Sequence, residues 1–239
     1  MSNLDLPKTI LDRVIARRGR IHVFEDLHPA RTALLVVDMQ NAYLDERGPG
    51  FVAAGRDIST NINGLAEALR SAGGAVIWLR NTLGRETLQS WETYGYFRSG
   101  EARERMLTAL EKGSDGHEIW SGMDVKPSDL VVDKRRYSAF IPGSSHLKSR
   151  LRKRDVDTLL ITGVLANVCC ESTARDAMMM NYKVIMVSDG MAAHSDQELK
   201  STLANALLVF GDVMTCNQVI GRLQSASLSL RPHVRLRSG

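Results

Sequence analysis

Short, nearly continuous apolar runs alternate with stretches of helical periodicity along most of this chain. Such runs are typical of parallel strands covered on both faces, and their alternation with helices predicts a doubly wound, mostly parallel α/β sheet with helices on both faces. Six strands are predicted at residues 33–37, 75–80, 130–133, 158–162, 183–188 and 212–215. Helices are predicted at residues 58–72, 100–111, 145–152, 167–181 and 197–210, the last of them capped by Ser195 and Asp196.

Length and composition fit one globular domain. The chain has 239 residues, and 44% of them are hydrophobic, enough to cover both faces of such a sheet. No apolar run is long enough to cross a bilayer, and residues 1–7 lack the basic-then-apolar pattern of a signal peptide. Three cysteines, two of them adjacent, make no disulfide framework. We therefore expect a cytoplasmic protein without a membrane partner.

The charge of the chain is modest, with a net value of +4. Much of the positive charge lies in two short runs, residues 17–20 and 148–154. No nucleic-acid motif accompanies these runs, so solvated helix faces are the better interpretation. We expect a small-molecule substrate and no nucleic-acid partner.

The turn after the predicted fourth strand carries the strongest chemical signal. The apolar run 158–161 leads into a turn containing Gly163, then Asn167, which can cap a helix, and then Cys169. A thiol at the amino end of a helix is favoured as a thiolate, and a thiolate beside backbone donors can perform acyl transfer. The alternative is a buried cysteine that fills space where strand meets helix.

Two charged residues follow other predicted strands. Asp38 ends the first strand and Lys134 follows the third, as Cys169 follows the fourth. In open α/β sheets ligands bind beyond the carboxyl ends of the strands, so these three side chains are expected to converge at one edge. The apolar and aromatic neighbours of Lys134 indicate a half-buried ammonium that needs a carboxylate partner.

Three sequence blocks resemble the isochorismatase-like cysteine hydrolase superfamily, in that family's order. They are Leu35 to Tyr43, Lys134 to Phe140 and Gly163 to Ala177, and the resemblance covers residues 31–223. It implies a six-stranded sheet of order 3-2-1-4-5-6, with Asp38, Lys134 and Cys169 as catalytic residues. It also divides the chain into an N-terminal extension (1–30), a hydrolase domain (31–225) and a C-terminal tail (226–239).

The resemblance implies a covalent mechanism. Lys134 and the helix amino end would lower the pKa of the Cys169 thiol, and Asp38 would act as general base and then as general acid. The resulting thioester would be hydrolysed by water. The amides of Leu165 and Cys169 would form the oxyanion hole, and the family has a cis peptide at the position of Val164–Leu165.

The family contains two chemistries, and this chain carries marks of both. Isochorismatases proper cleave a vinyl ether without a covalent step and typically have glycine where this chain has Cys169. A thiol there favours carbon–nitrogen hydrolysis, and the chain looks most similar to ureidoacrylate amidohydrolases and N-carbamoylsarcosine amidases. The vinyl-ether reaction is the alternative, and a non-catalytic binding module on the same fold is a further one.

The other cysteines are expected to be structural. Cys170 diverges from Cys169 by about 100° around a helix, so both cannot face one site. Cys170 stands where valine is common in the family and is predicted to be a small packing residue. Cys216 is predicted to be inert.

Substrate contacts, cofactors and assembly are less constrained. Asn41, Tyr43 and Asn81 can hydrogen-bond an amide or a carboxylate, and Arg136 can pair with a substrate carboxylate. The aromatic residues between positions 91 and 97 could form either a lid or a subunit contact. Nicotinamidases bind a metal through clustered histidines, whereas the six histidines here are scattered, so no catalytic metal and no cofactor are expected. Family members are commonly dimers or tetramers, which implies a homo-oligomer.

Overall fold

Six parallel strands form one sheet of order β3-β2-β1-β4-β5-β6 in the computed structural model, which describes residues 6–229. This confirms the predicted α/β architecture and strand order. The strands are β1 (Thr32–Val37), β2 (Ala75–Asn81), β3 (Leu130–Lys134), β4 (Thr158–Val164), β5 (Lys183–Ala192) and β6 (Asp212–Met214).

The two central strands explain why the apolar runs are unbroken. Every residue of β1 and of β4 is buried, because helices cover both faces of the sheet. Alternate residues of β1 enter opposite cores: Leu35 packs on one side of the sheet and Leu34 on the other.

Nine α-helices are found between residues 6 and 229, and several are short. They are α1 (Lys8–Arg18), α2 (Asn41–Leu44), α3 (Ser59–Ser71), α4 (Thr87–Ser90), α5 (Gly100–Ala109), α6 (Leu147–Arg152), α7 (Glu171–Met179), α8 (Asp196–Asn205) and α9 (Cys216–Ser229). None of the helices within this range has the length and apolarity to span a membrane. The Ser195 hydroxyl accepts a hydrogen bond from the Glu198 N–H, which confirms the predicted cap of α8.

Some element boundaries differ from the sequence prediction. Strand β5 continues to Ala192, beyond the predicted end at residue 188, because its last residues pair with β4 after a register shift between Ile161 and Gly163. Two predicted helices contain a π-helical turn, over Ala166–Cys170 before α7 and over Ala206–Phe210 after α8.

The N-terminal segment packs on the body of the domain. Val14 of α1 is buried in the main core, and the Arg18 guanidinium lies 3.3 Å from the buried Asp212 carboxylate. Asp212 also accepts hydrogen bonds from the backbone of Val23 and Phe24. The Asp212 carboxylate of β6 thus anchors the segment between α1 and β1 to the sheet.

Helix α9 passes the predicted start of the C-terminal tail at residue 226 and ends at Ser229. The rest of that predicted tail, residues 230–239, lies outside the described residues, as do residues 1–5 of the predicted extension.

Candidate active site

Strand register places the carboxyl ends of β1, β3 and β4, which carry the predicted catalytic residues, at the same edge of the sheet. Val37 at the end of β1 pairs with Leu79 of β2 and with Gly163 of β4. Asn81 at the end of β2 pairs with Lys134 at the end of β3. The residues that follow β1 and β4 therefore lie beside Lys134, as the topology of open α/β sheets requires.

Asp38 is held in an unusual backbone conformation directly after β1. Its φ angle is 53°, in the left-handed region that non-glycine residues seldom adopt. Its N–H donates to the Leu79 carbonyl, and its carbonyl accepts from the Gln40 N–H. These bonds fix the turn and leave the side chain 1% exposed.

Lys134 is fully buried beside this carboxylate. Its ammonium Nζ lies 2.8 Å from Asp38 Oδ2 and also donates to the Arg136 carbonyl at 3.2 Å. Burial alone lowers the pKa of Lys134, but Asp38 and Cys169 outweigh it and raise that pKa to about 12. Sequence reasoning predicted a half-buried ammonium with a carboxylate partner, and the structure buries it completely.

The turn after β4 presents Cys169 to this pair. Gly163 has a φ of 105°, and a Cβ there would overlap the Val37 carbonyl, so the close approach of β1 and β4 requires glycine. The Val164–Leu165 peptide is cis, as the family resemblance implies. Cys169 lies in the π-helical turn that follows, is 6% exposed, and its thiol interacts with both Asp38 and Lys134.

Two expectations about this turn were wrong. Asn167 does not cap the helix: Leu165 is the first residue outside the π turn, and no side chain caps it. Burial and the Asp38 carboxylate raise the pKa of the Cys169 thiol, and the opposing effect of Lys134 does not compensate. This direction is the opposite of the sequence prediction, in which Lys134 and the helix end lower the thiol pKa.

Tyr43 and Asn81 lie beside Asp38 and Cys169. The Asn81 side-chain amide donates to the Tyr43 hydroxyl at 2.7 Å. Burial raises the pKa of Tyr43, and negative charge on Asp38 or Cys169 raises it further. The hydroxyl therefore stays protonated and available as a hydrogen-bond donor.

Gln40 fixes the end of β2, and sequence reasoning missed it. Its side-chain amide donates to the carbonyls of Asn81 and His117 and accepts from the Asn81 N–H at 2.7 Å. Its position two residues after Asp38, just past the apolar run of β1, was the available signal for such a role.

Aromatic rings pack beside the buried group formed by Asp38, Lys134 and Cys169. Trp91 lies 4.8 Å from both Tyr94 and Tyr137, measured between ring centroids. In contrast, Tyr96 and Phe97 are 70% and 83% exposed. The aromatic stretch is thus divided, with one part packed on Tyr137 and the other facing solvent.

The remaining predicted binding residues have other neighbours. Asn41 donates its amide to the Asp115 carbonyl, and Arg136 donates to the carbonyls of Arg135 and Ser90. The structure does not bring these two side chains into the Asp38–Lys134–Cys169 group. Substrate binding by either of them stays a prediction.

Cys170 and Cys216 are placed as packing residues. Cys170 is fully buried, with its thiol directed at the Thr162 carbonyl, 3.6 Å away. The buried Cys216 thiol is directed at the Asn61 carbonyl at the same distance. Burial raises the thiol pKa of both, as it does for Cys169, but neither thiol hydrogen-bonds to Asp38 or Lys134.

No metal-binding group of three or more histidine, cysteine or acidic residues is found within the described part of the chain. A reaction without a metal stays a prediction.

Known proteins are similar to this chain over most of its length. Residues 32–218 match the isochorismatase domain family. The chain is 35% identical to a ureidoacrylate amidohydrolase of Variovorax paradoxus over 210 residues, 81% of this chain and 82% of that protein. It is 31% identical to the enzyme of the same name from Agrobacterium fabrum, over 84% of this chain and 93% of that protein.

A solved structure has the same fold. The cysteine hydrolase from Pseudomonas syringae pv. phaseolicola superposes with a TM-score of 0.76 at 32% identity, covering 84% of this chain and 96% of that one. The chain therefore belongs to the isochorismatase family and is a hydrolase, of the amidohydrolase class of its relatives.

Proposed function

We propose that this protein hydrolyses a carbon–nitrogen bond in a small amide or ureido (carbamoyl) acid, through an acyl-enzyme on Cys169. The observation that carries the proposal is the contact of one thiol with a buried carboxylate–ammonium pair. Such a group suits nucleophilic catalysis, because the base lies beside the nucleophile and a third group orients the base.

The raised thiol pKa decides how the first step proceeds. The thiol is neutral in the free enzyme, so its proton passes to the Asp38 carboxylate as the sulfur attacks the carbonyl carbon. The new carbon–sulfur bond leaves a negative charge on the carbonyl oxygen, which the N–H groups of Leu165 and Cys169 would stabilise. Lys134 stays protonated throughout, and its positive charge balances the negative charge that lies first on Asp38 and then on the carbonyl oxygen.

Collapse of the tetrahedral intermediate breaks the carbon–nitrogen bond. Asp38 returns the proton to the leaving nitrogen, which departs as an amine or as ammonia. A thioester remains on Cys169, or a thiocarbamate when the acyl group is carbamoyl. Water then donates a proton to Asp38 and attacks the same carbon, and the thiol is restored.

Two features favour this reaction over vinyl-ether cleavage. The chain has a thiol where isochorismatases proper typically have glycine, and relatives over most of its length are named ureidoacrylate amidohydrolases. We also propose that the protein works in the cytoplasm as a homo-oligomer, a dimer or a tetramer, without cofactor, metal, membrane or nucleic-acid partner.

A substrate panel tests the proposal. Purified protein is incubated with ureido acids, simple amides and isochorismate, and the release of ammonia and of pyruvate is measured. We expect ammonia from a ureido acid, directly or through breakdown of carbamate, and none from Cys169→Ala. Pyruvate from isochorismate would support the vinyl-ether alternative, and no turnover of any compound would support a binding module.

A further inference from the structure

Arg98 is a half-buried cation that sequence reasoning did not select. It follows the 3-10 segment Glu92–Phe97, and its guanidinium carbon lies 4.6 Å from the centroid of the Tyr94 ring. It also interacts with the hydroxyl of Tyr137, whose ring is 6.3 Å from that of Tyr94.

The tyrosines around Arg98 also border the nucleophile. Tyr94 packs in one apolar cluster with Tyr43 and Tyr137. The charges of Cys169 and Lys134 also act on its phenol. Tyr43 is likewise affected by Cys169, and it interacts with Arg98 as well. Arg98 and Cys169 thus have neighbours in common, although they come from opposite halves of the chain.

No carboxylate in the described part of the chain pairs with Arg98. Between residues 6 and 229, no acidic side chain lies within 4.0 Å of its guanidinium, whereas Arg135 pairs with Glu86 at 3.1 Å. Arg136 differs as well, because it donates to the carbonyls of Arg135 and Ser90. A partly desolvated guanidinium favours an anion, and its fork of donors fits a carboxylate.

We propose that Arg98 binds the carboxylate of the substrate while the carbonyl carbon to be attacked lies at Cys169. This inference rests on the proposed function and names the group that distinguishes an acid from a neutral amide. Tyr94 and Tyr137 hold the guanidinium in place. The substrate then extends from the ion pair at Asp38 to Arg98, with Asn81 and Tyr43 beside its polar middle.

A purely structural role for Arg98 is the competing explanation. Stacking on Tyr94 could simply hold the 92–97 segment against the domain. The two roles differ in substrate dependence, since a structural defect would affect charged and neutral substrates equally.

The experiment compares Arg98→Gln and Arg98→Lys with the wild type on 3-ureidoacrylate and its methyl ester. Steady-state kinetics give KM and kcat for both compounds. Calorimetric titration of both compounds into Cys169→Ala protein, with and without Arg98→Gln, measures binding without turnover. Arg85→Gln is the matched control, because Arg85 is an exposed arginine of the same region with no role in the site.

We expect Arg98→Gln to raise the KM and the Kd for the acid about 10- to 100-fold, the loss typical of a charge-assisted hydrogen bond. The values for the ester and the kcat for the acid should change less than about threefold. Arg98→Lys should be intermediate, and Arg85→Gln should match the wild type.

Equal effects on acid and ester, or no effect on either, would overturn the role of Arg98 while leaving hydrolysis intact. Failure of the wild type to hydrolyse the acid, together with Arg98-dependent binding in the Cys169→Ala protein, would instead overturn the proposed reaction alone. Absence of any binding of the acid would overturn both.

Discussion

The Lys134 ammonium lies 2.8 Å from the Asp38 carboxylate, and both side chains are almost completely buried. Buried ion pairs are costly to desolvate, so they are weak evidence for stability. This pair lies against the thiol of Cys169 at the edge of the sheet, where we propose that it takes part in catalysis. Each of the two buried charges is stabilised by the other, so removal of one leaves the other unpaired.

The first prediction concerns that dependence. Asp38→Asn leaves an unpaired buried ammonium and should lower the free energy of unfolding by about 3–5 kcal/mol. Lys134→Met should cost less, because burial already raises the pKa of Asp38 and the carboxyl can become neutral by taking up a proton. Urea denaturation at pH 7 measures both.

The double variant is the control for this prediction. Asp38→Asn with Lys134→Met has no buried charge left at the pair and should cost less than the sum of the single changes. Additive costs would mean that the two groups do not stabilise each other.

The second prediction concerns the acid side of the pH profile. Burial raises the pKa of Asp38, with Lys134 opposing, and Asp38 accepts the thiol proton only when ionised. As the pH is lowered, the logarithm of kcat/KM should therefore fall with unit slope, and the fall should begin at a pH above the usual carboxyl pKa of about 4. A profile that stays flat down to pH 4 in folded protein would contradict a raised pKa for the essential carboxylate.

The alkaline side should behave differently. Lys134 has a pKa of about 12 and stays charged through the range in which the protein can be assayed. We expect no loss of kcat/KM from this group below about pH 10, measured in the same experiment.

The third prediction concerns Gly163. A Cβ at this position would overlap the Val37 carbonyl, and the φ of 105° disfavours any other residue. Gly163→Ala should therefore destabilise the protein by more than about 1 kcal/mol and abolish activity, because it separates the ends of β1 and β4. Thermal denaturation and kcat/KM measure the two effects.

Gly64 provides the matched control. It lies inside α3 with open space around its Cβ position. Gly64→Ala should raise stability by about 0.5–1 kcal/mol and leave activity unchanged. Similar behaviour of the two variants would contradict the steric argument for Gly163.

Much of the fold could be predicted because the apolar runs are long and unambiguous. The residues Ser188 to Gly190 were a natural place to end β5, since polar and glycine residues usually mark turns. Pairing with β4 beyond the register shift carries the strand through them. Helix α9 was missed because Gly221 and several serines weaken its helical signal, although Cys216, Val219 and Leu223 have the spacing of a buried face.

The candidate site was predictable to the extent that it follows strand ends. Asp38, Lys134 and Cys169 converge as expected from topology and family resemblance. The direction of the thiol pKa was not predictable, because it depends on how deeply the sulfur is buried and how close Asp38 lies. Arg98 could not be found either, since its place beside Tyr137 comes from the path of an irregular segment.

The most direct test of the account is the kcat/KM of Cys169→Ala set beside that of Cys170→Ala, on whichever ureido acid or amide the wild type hydrolyses. The account predicts a loss of about 10³-fold or more for Cys169→Ala, with a melting temperature near that of the wild type, and a change within about tenfold for Cys170→Ala. Substantial turnover by Cys169→Ala, or a loss confined to Cys170→Ala, would contradict a covalent reaction at Cys169.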